Sequence, residues 1–84
     1  MSDFVRLKNE RQLVILETQV VPIDLEIQGY VETLRDLLDP LLPTSELQLK
    51  TAADIAVKAA VRQIDLKAKL ADIVKLKGWL DQNL

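Results

Sequence analysis

From Ile23 onward the apolar positions fall at alternating steps of four and three: Ile23, Ile27, Tyr30, Leu34, Leu37 and Leu41. That is the spacing of a helix that buries one stripe against a neighbour. Val31 and Leu38 widen the stripe, and Glu26, Glu32, Arg35, Asp36 and Asp39 occupy the other side. The pattern predicts a middle helix near 23–39. A second period competes with it, because Ile23-Asp24-Leu25-Glu26-Ile27-Gln28 also alternates as a half-buried strand does. On that reading Gly29 separates the strand from a shorter helix.

Pro22 separates this segment from an N-terminal one in which Phe4, Val5, Leu7, Leu13, Val14, Ile15, Leu16, Val20 and Val21 gather on no single helical face. The run Leu13–Leu16 is compatible with a buried strand or with a helix apolar all round. If it is a strand, its partner has to come from Val20–Ile27. The two strand assignments therefore stand together.

Asp39-Pro40-Leu41-Leu42-Pro43-Thr44-Ser45 reads as a loop, since proline disfavours helix at itself and at its predecessor. Ser45-Glu46-Leu47-Gln48 then has the form of a capping box, which predicts a helix starting at Glu46. Alanines at 52, 53, 56, 59 and 60 favour helix, and no Gly or Pro intervenes before Gly78. A long helix near 46–77 follows. Wound at about 100° per residue, it carries Lys50, Asp54, Lys58, Arg62, Asp65, Lys69 and Asp72 on one narrow stripe. Apolar residues cover most of the remaining circumference, which is more than an ordinary surface helix needs.

These elements predict one small all-α domain over 1–84, a helical bundle or hairpin with one long C-terminal helix and a loop at 39–45. The alternative is α+β, with an N-terminal β-hairpin ahead of two helices. Only two Gly and three Pro in 84 residues favour a few long elements over many short ones. An apolar content of 49% is too high for a disordered tail.

Composition removes several kinds of chemistry. With no His and no Cys, zinc fingers, thiol nucleophiles, imidazole bases and disulfide frameworks are absent. No glycine-rich phosphate loop occurs. Glu32 with Asp36, and Asp36 with Asp39, pair carboxylates on one helical face, but that face is the solvated one. Asp24, Glu26 and Glu32 match no calcium motif. The expectation is no catalytic residue, no metal and no cofactor: the chain is not an enzyme. Met1-Ser2-Asp3 opens no signal peptide and no stretch is long enough to span a bilayer, so the expected location is cytoplasmic.

Charge is uneven although the net value is only -2. Residues 17–54 hold eight acids and two bases, whereas residues 55–77 hold six bases and two acids. A basic segment raises nucleic-acid binding through Lys58, Arg62, Lys67 and Lys69. Thr51–Leu66 has some apolar positions of a helix-turn-helix, but Ala59-Ala60 supplies no turn residue, and an unbroken helix accounts for the same pattern. Leu66–Leu84 is basic and amphipathic with one Trp, as interfacial helices are, but Asp65, Asp72 and Asp81 oppose anionic lipid.

The wide apolar face of the long helix points instead to protein association. An antiparallel dimer sets the acidic middle of one chain near the basic end of another. The favoured function is thus a non-catalytic, self-associating interaction, structural or adaptor subunit, a dimer or the partner of another helical protein. Leu34, Leu37, Leu38, Ile55, Ala56, Ala59, Ile64 and Trp79 are its candidate core or interface residues. A small nucleic-acid-binding regulator is the alternative.

Overall fold

A computed structural model describes residues 3–83. The chain forms two long helices, α1 (Asp3–Leu37) and α2 (Leu49–Gln82), packed side by side as an antiparallel hairpin. Among the described residues there is no strand. The α+β alternative is excluded, and the reason is visible at three positions. A strand sets Ile23, Leu25 and Ile27 on one face, yet Ile23 is 4% exposed, Leu25 is 60% exposed and Ile27 is half-buried. Only the helical period separates Leu25 from its neighbours.

The inward side of α1 is a continuous line of buried and half-buried positions: Leu13, Leu16, Val20, Ile23, Ile27, Tyr30, Leu34 and Leu37. The opposing line on α2 is Ala52, Ile55, Ala59, Arg62, Leu66, Lys69, Ile73, Leu76 and Leu80. Both repeat in alternating steps of three and four, the seven-residue pattern that lets side chains of one helix fill gaps on the other. Among the described residues Leu16, Ile23, Ala52 and Ile73 are the ones buried along it.

The break expected at Pro22 does not occur, since α1 runs straight through it. A helical proline removes the bond to the carbonyl four residues back, here that of Thr18, at a cost of about 3 kcal/mol. Thr18 and Pro22 are both exposed, so water can reach the freed carbonyl. Leu13, Leu16 and Val20 continue the stripe of Ile23 and Ile27 across the proline, and burying that longer stripe against α2 outweighs the local penalty.

The turn is also built differently from the expected capping box. The side chain of Asp39 accepts from the Leu41 amide at 2.9 Å, and the Leu42 amide donates to the Asp39 carbonyl at 3.1 Å, which closes α1. Thr44–Glu46 makes one turn of 3₁₀ helix, and α2 begins at Leu49 rather than Glu46, with no side-chain cap. Leu41, expected on the helical stripe, lies in this turn at 90% exposure. At the far end α2 passes through Gly78 and stops at Gln82, where the Asn83 side-chain amide donates to the Trp79 carbonyl at 2.7 Å.

The hairpin measures 64 × 17 × 16 Å, with a radius of gyration of 19.0 Å. A compact chain of this length has a radius of gyration of about 12 Å. Its accessible surface is 6403 Å², against about 5,000 Å² for a compact monomer of the same mass. Among the described residues one helix-to-helix seam is the whole of the interior.

Candidate interaction surfaces

Two kinds of surface follow from this arrangement: a polar network along one edge of the seam, and apolar stripes on the outward sides of both helices.

The network starts from charged residues placed where a coiled-coil seam ordinarily carries apolar ones. Arg62 and Lys69 lie on the inward line of α2, and their aliphatic stems help fill it while their charged ends reach its edge. The Arg62 guanidinium donates across the seam to Glu26 at 2.7 Å and along its own helix to Asp65 at 3.3 Å. Lys69 donates to Asp65 at 2.9 Å, and the Tyr30 hydroxyl donates to Glu26 at 3.0 Å. Hydrogen bonds from Arg62 and Tyr30 hold the Glu26 carboxyl below its ordinary range. The bond to Glu26 raises the Tyr30 phenol, and the bond from Lys69 lowers Asp65. On the other edge Lys77 approaches Glu17 at 3.7 Å. The narrow stripe of charge on α2 is thus partly interhelical: Arg62 pairs with Glu26 of α1, while Lys69, half-buried on the inward line, pairs with Asp65 of its own helix.

That placement divides the candidate nucleic-acid residues. Lys58, Arg62 and Lys69 follow one side of α2, and two of them are engaged in ion pairs. Lys67 lies about 140–180° around the helix from the other three. The structure does not bring the four together. The carboxylates Glu32 and Asp36 are exposed, and Asp39 is spent on the turn. Among the described residues no group of three or more His, Cys, Asp or Glu is placed to hold a metal ion, and no helix is long and apolar enough to cross a membrane.

The candidate interface residues also divide. Leu34, Leu37, Ile55, Ala59 and Trp79 are half-buried along the hairpin, whereas Leu38, Ala56 and Ile64 are exposed, Ile64 at 71%. The antiparallel meeting of acidic and basic stretches, expected between chains, is realised within one. α1 carries seven acids and four bases, and α2 seven bases and four acids.

Outward from the seam, α1 exposes Phe4, Leu7, Val14, Val21 and Leu25, with shallow apolar grooves around Leu7, Val14 and Ile15. α2 exposes Val57, Ile64 and Val74 in line with Ala53, Ala60, Ala71 and Gly78. Both outward lines keep three-, four- or seven-residue steps, so each helix has a second stripe nearly opposite its first. The excess of apolar surface is legible in the sequence, but Val57 and Val74 stand out as members of a line only when the same period is followed a second time, displaced around the helix. Compared with models of known protein families, with curated proteins and with solved structures, the chain matches none.

Proposed function

We propose that the chain is a non-catalytic helical interaction subunit, a hairpin whose outward stripes pack on helices of other chains, copies of itself among them. One observation carries this reading. Large apolar side chains lie exposed at three-, four- or seven-residue spacing on the outward side of both helices, while among the described residues the hairpin's own seam buries four, Leu16, Ile23, Ala52 and Ile73. The surface in excess of a compact monomer, roughly 1,400 Å², is close to the total that a standard protein interface buries, about 1,600 Å². Elongated helices with two apolar stripes are the usual components of bundles and helical arrays. A chain without Cys suits the reducing cytoplasm for such a role.

The test is the mass in solution by light scattering across a hundredfold concentration range. A mass that rises above the 9.5 kDa of one chain is expected. A monomer with unchanged helicity throughout that range, which also retains no helical partner, refutes the proposal. A second reading, nucleic-acid binding, draws on the basic excess of α2. It predicts retardation of DNA or RNA that weakens steeply with salt and that Lys67→Glu reduces.

A further inference from the structure

The hairpin has two outward stripes, and they differ in what they can accept. On α1 the line Phe4, Leu7, Val14, Val21, Leu25 is interrupted by Arg11 and Thr18, and Pro22 projects beside it. Along its flank runs an acidic rail at seven-residue spacing: Asp3, Glu10, Glu17 and Asp24. Within the hairpin Glu10 pairs with Arg6 and Glu17 lies 3.7 Å from Lys77, so antiparallel pairing of this face with itself opposes chiefly Asp3 to Asp24 and gains no opposite-charge pair from the rail. On α2 the line Ala53, Val57, Ala60, Ile64, Lys67, Ala71, Val74, Gly78 has one charged member, and every residue in it is exposed.

We infer that this outward face of α2 binds the same face of a second copy of the chain, antiparallel and about a two-fold axis, and so joins two hairpins. The inference rests on the self-association proposed above and goes further by naming face, partner and register. Three features of the sequence as placed on α2 carry it.

The first is size matching. Full antiparallel overlap of the line sets Val57 opposite Val74 of the second copy, Ala60 opposite Ala71, and Ala53 opposite Gly78. Ile64 then lies against the aliphatic stem of Lys67. Large meets large and small meets small, so the helix axes can approach closely along their whole contact. Gly78 has open space where a Cβ would stand, so nothing within the hairpin calls for its missing side chain.

The second is charge. In the same register Asp54 on the flank meets Lys75 of the second copy, and two-fold symmetry forms this pair twice. Neither residue enters an ion pair within the hairpin among the described residues. Sliding the helices by one seven-residue unit sets Asp54 against Ala68 or Gln82 and leaves the ends of the line uncovered. Parallel pairing sets Lys67 against Lys67. Of these arrangements, full antiparallel overlap alone satisfies both size and charge.

The third is extent. Ala53 to Gly78 spans about 38 Å of helix, a contact of the same kind as the seam inside the hairpin. A standard interface of about 800 Å² per partner takes roughly one-eighth of the 6403 Å² that the hairpin exposes.

The natural chain contains no cysteine, which makes cross-linking clean. In the double variant Ala60→Cys/Ala71→Cys the two thiols stand about 16 Å apart on one helix, beyond the reach of an internal disulfide. Mild oxidation is expected to give a covalent dimer, while the α1 control Leu7→Cys/Leu25→Cys gives little. Independently, Asp54→Lys is expected to weaken the dimer roughly tenfold, since two attractive pairs become repulsive. Lys75→Asp does the same, and the double variant Asp54→Lys/Lys75→Asp restores the original affinity. All these positions are exposed, and circular dichroism checks that helicity is retained. A multimeric mass with cross-links through α1 and none through α2, or with no rescue by the charge swap, overturns the α2 interface and leaves self-association standing. A monomeric mass at every concentration overturns both.

Discussion

Replacing Pro22 by alanine tests the claim that α1 is one helix held by its long seam rather than two segments meeting at a break. In the structure Pro22 is exposed inside α1, between the seam residues Val20 and Ile23. Alanine restores an amide donor to the Thr18 carbonyl and removes the clash of the ring with that turn, a gain of about 3 kcal/mol on helix-propensity scales. The greater freedom of the unfolded chain takes back about 0.4–1 kcal/mol. Thr18 is exposed and water can reach its carbonyl in place of the missing amide, so a net stabilisation on the order of 2 kcal/mol is the working value. For a domain of this size that is a rise in Tm of roughly 8–16 °C. The assay is thermal and urea unfolding followed by helical circular dichroism, at matched protein concentrations because association itself adds stability by mass action. Hydrogen exchange adds a local reading, in which the new amide of residue 22 should be protected as strongly as those of its helical neighbours. An unchanged or lower Tm, with residue 22 unprotected, would refute a continuous α1 and show that the packing needs the proline where it is.

Ile23→Ala is expected to destabilise by about 2–5 kcal/mol, enough to unfold much of a small hairpin. Leu25→Ala, at a position 60% exposed, should stay within about 0.5 kcal/mol in a non-associating background; equal losses at both in urea titrations contradict the helical assignment. Gly29→Ala meets no atom within 4 Å and lies off the α2 line, so it should add about 0.5–1 kcal/mol of stability while leaving the solution mass unchanged. The Glu26 carboxyl is held below its ordinary value by Arg62 and Tyr30, so its stabilising contribution is present above the unfolded pKa and is lost as pH falls through the folded one. The difference in stability between the natural chain and Glu26→Gln should therefore vanish under acid, and a difference that persists at low pH counts against the network. The raised Tyr30 phenol acts in the opposite direction: its contribution is present below the unfolded pKa and disappears as pH rises through the folded one, which comparison with Tyr30→Phe in alkali can detect.

Much of this was legible in the residues. The run from Ile23 to Leu37 carries its inward face in a repeat of three and four, although over Ile23–Gln28 a strand's alternation fits as well and only the exposure of Leu25 in the structure decides between them. The alanines from 52 to 60 and the scarcity of Gly and Pro marked the second helix, and the proline pair marked the turn. The stretch before Pro22 was not legible, since Leu13, Leu16 and Val20 look scattered among Val14, Ile15 and Val21 until the period from Ile23 is carried backward through the proline. Two overlapping stripes on one helix defeat a search for a single face. The same overlap hid the outward line of α2, where Val57 and Val74 are separated by small residues and by Lys67.

By itself, then, the sequence determined the local rules: which stretches favour helix, where the chain turns, and that more apolar surface exists than one small monomer can bury. Those outcomes depend on propensity, periodicity and composition, all of which act over a few neighbouring residues. The tertiary structure decided the rest. It carried α1 across Pro22, because an energy of burial summed along the whole seam exceeds one lost hydrogen bond and a steric clash. It turned Arg62 from a surface charge into the partner of Glu26, since only the facing helix supplies Glu26 at that height, whereas the Lys69–Asp65 pair is local to α2. It also divided the apolar residues into those that close the hairpin and those left outward, a division made only when α1 takes up its position against α2.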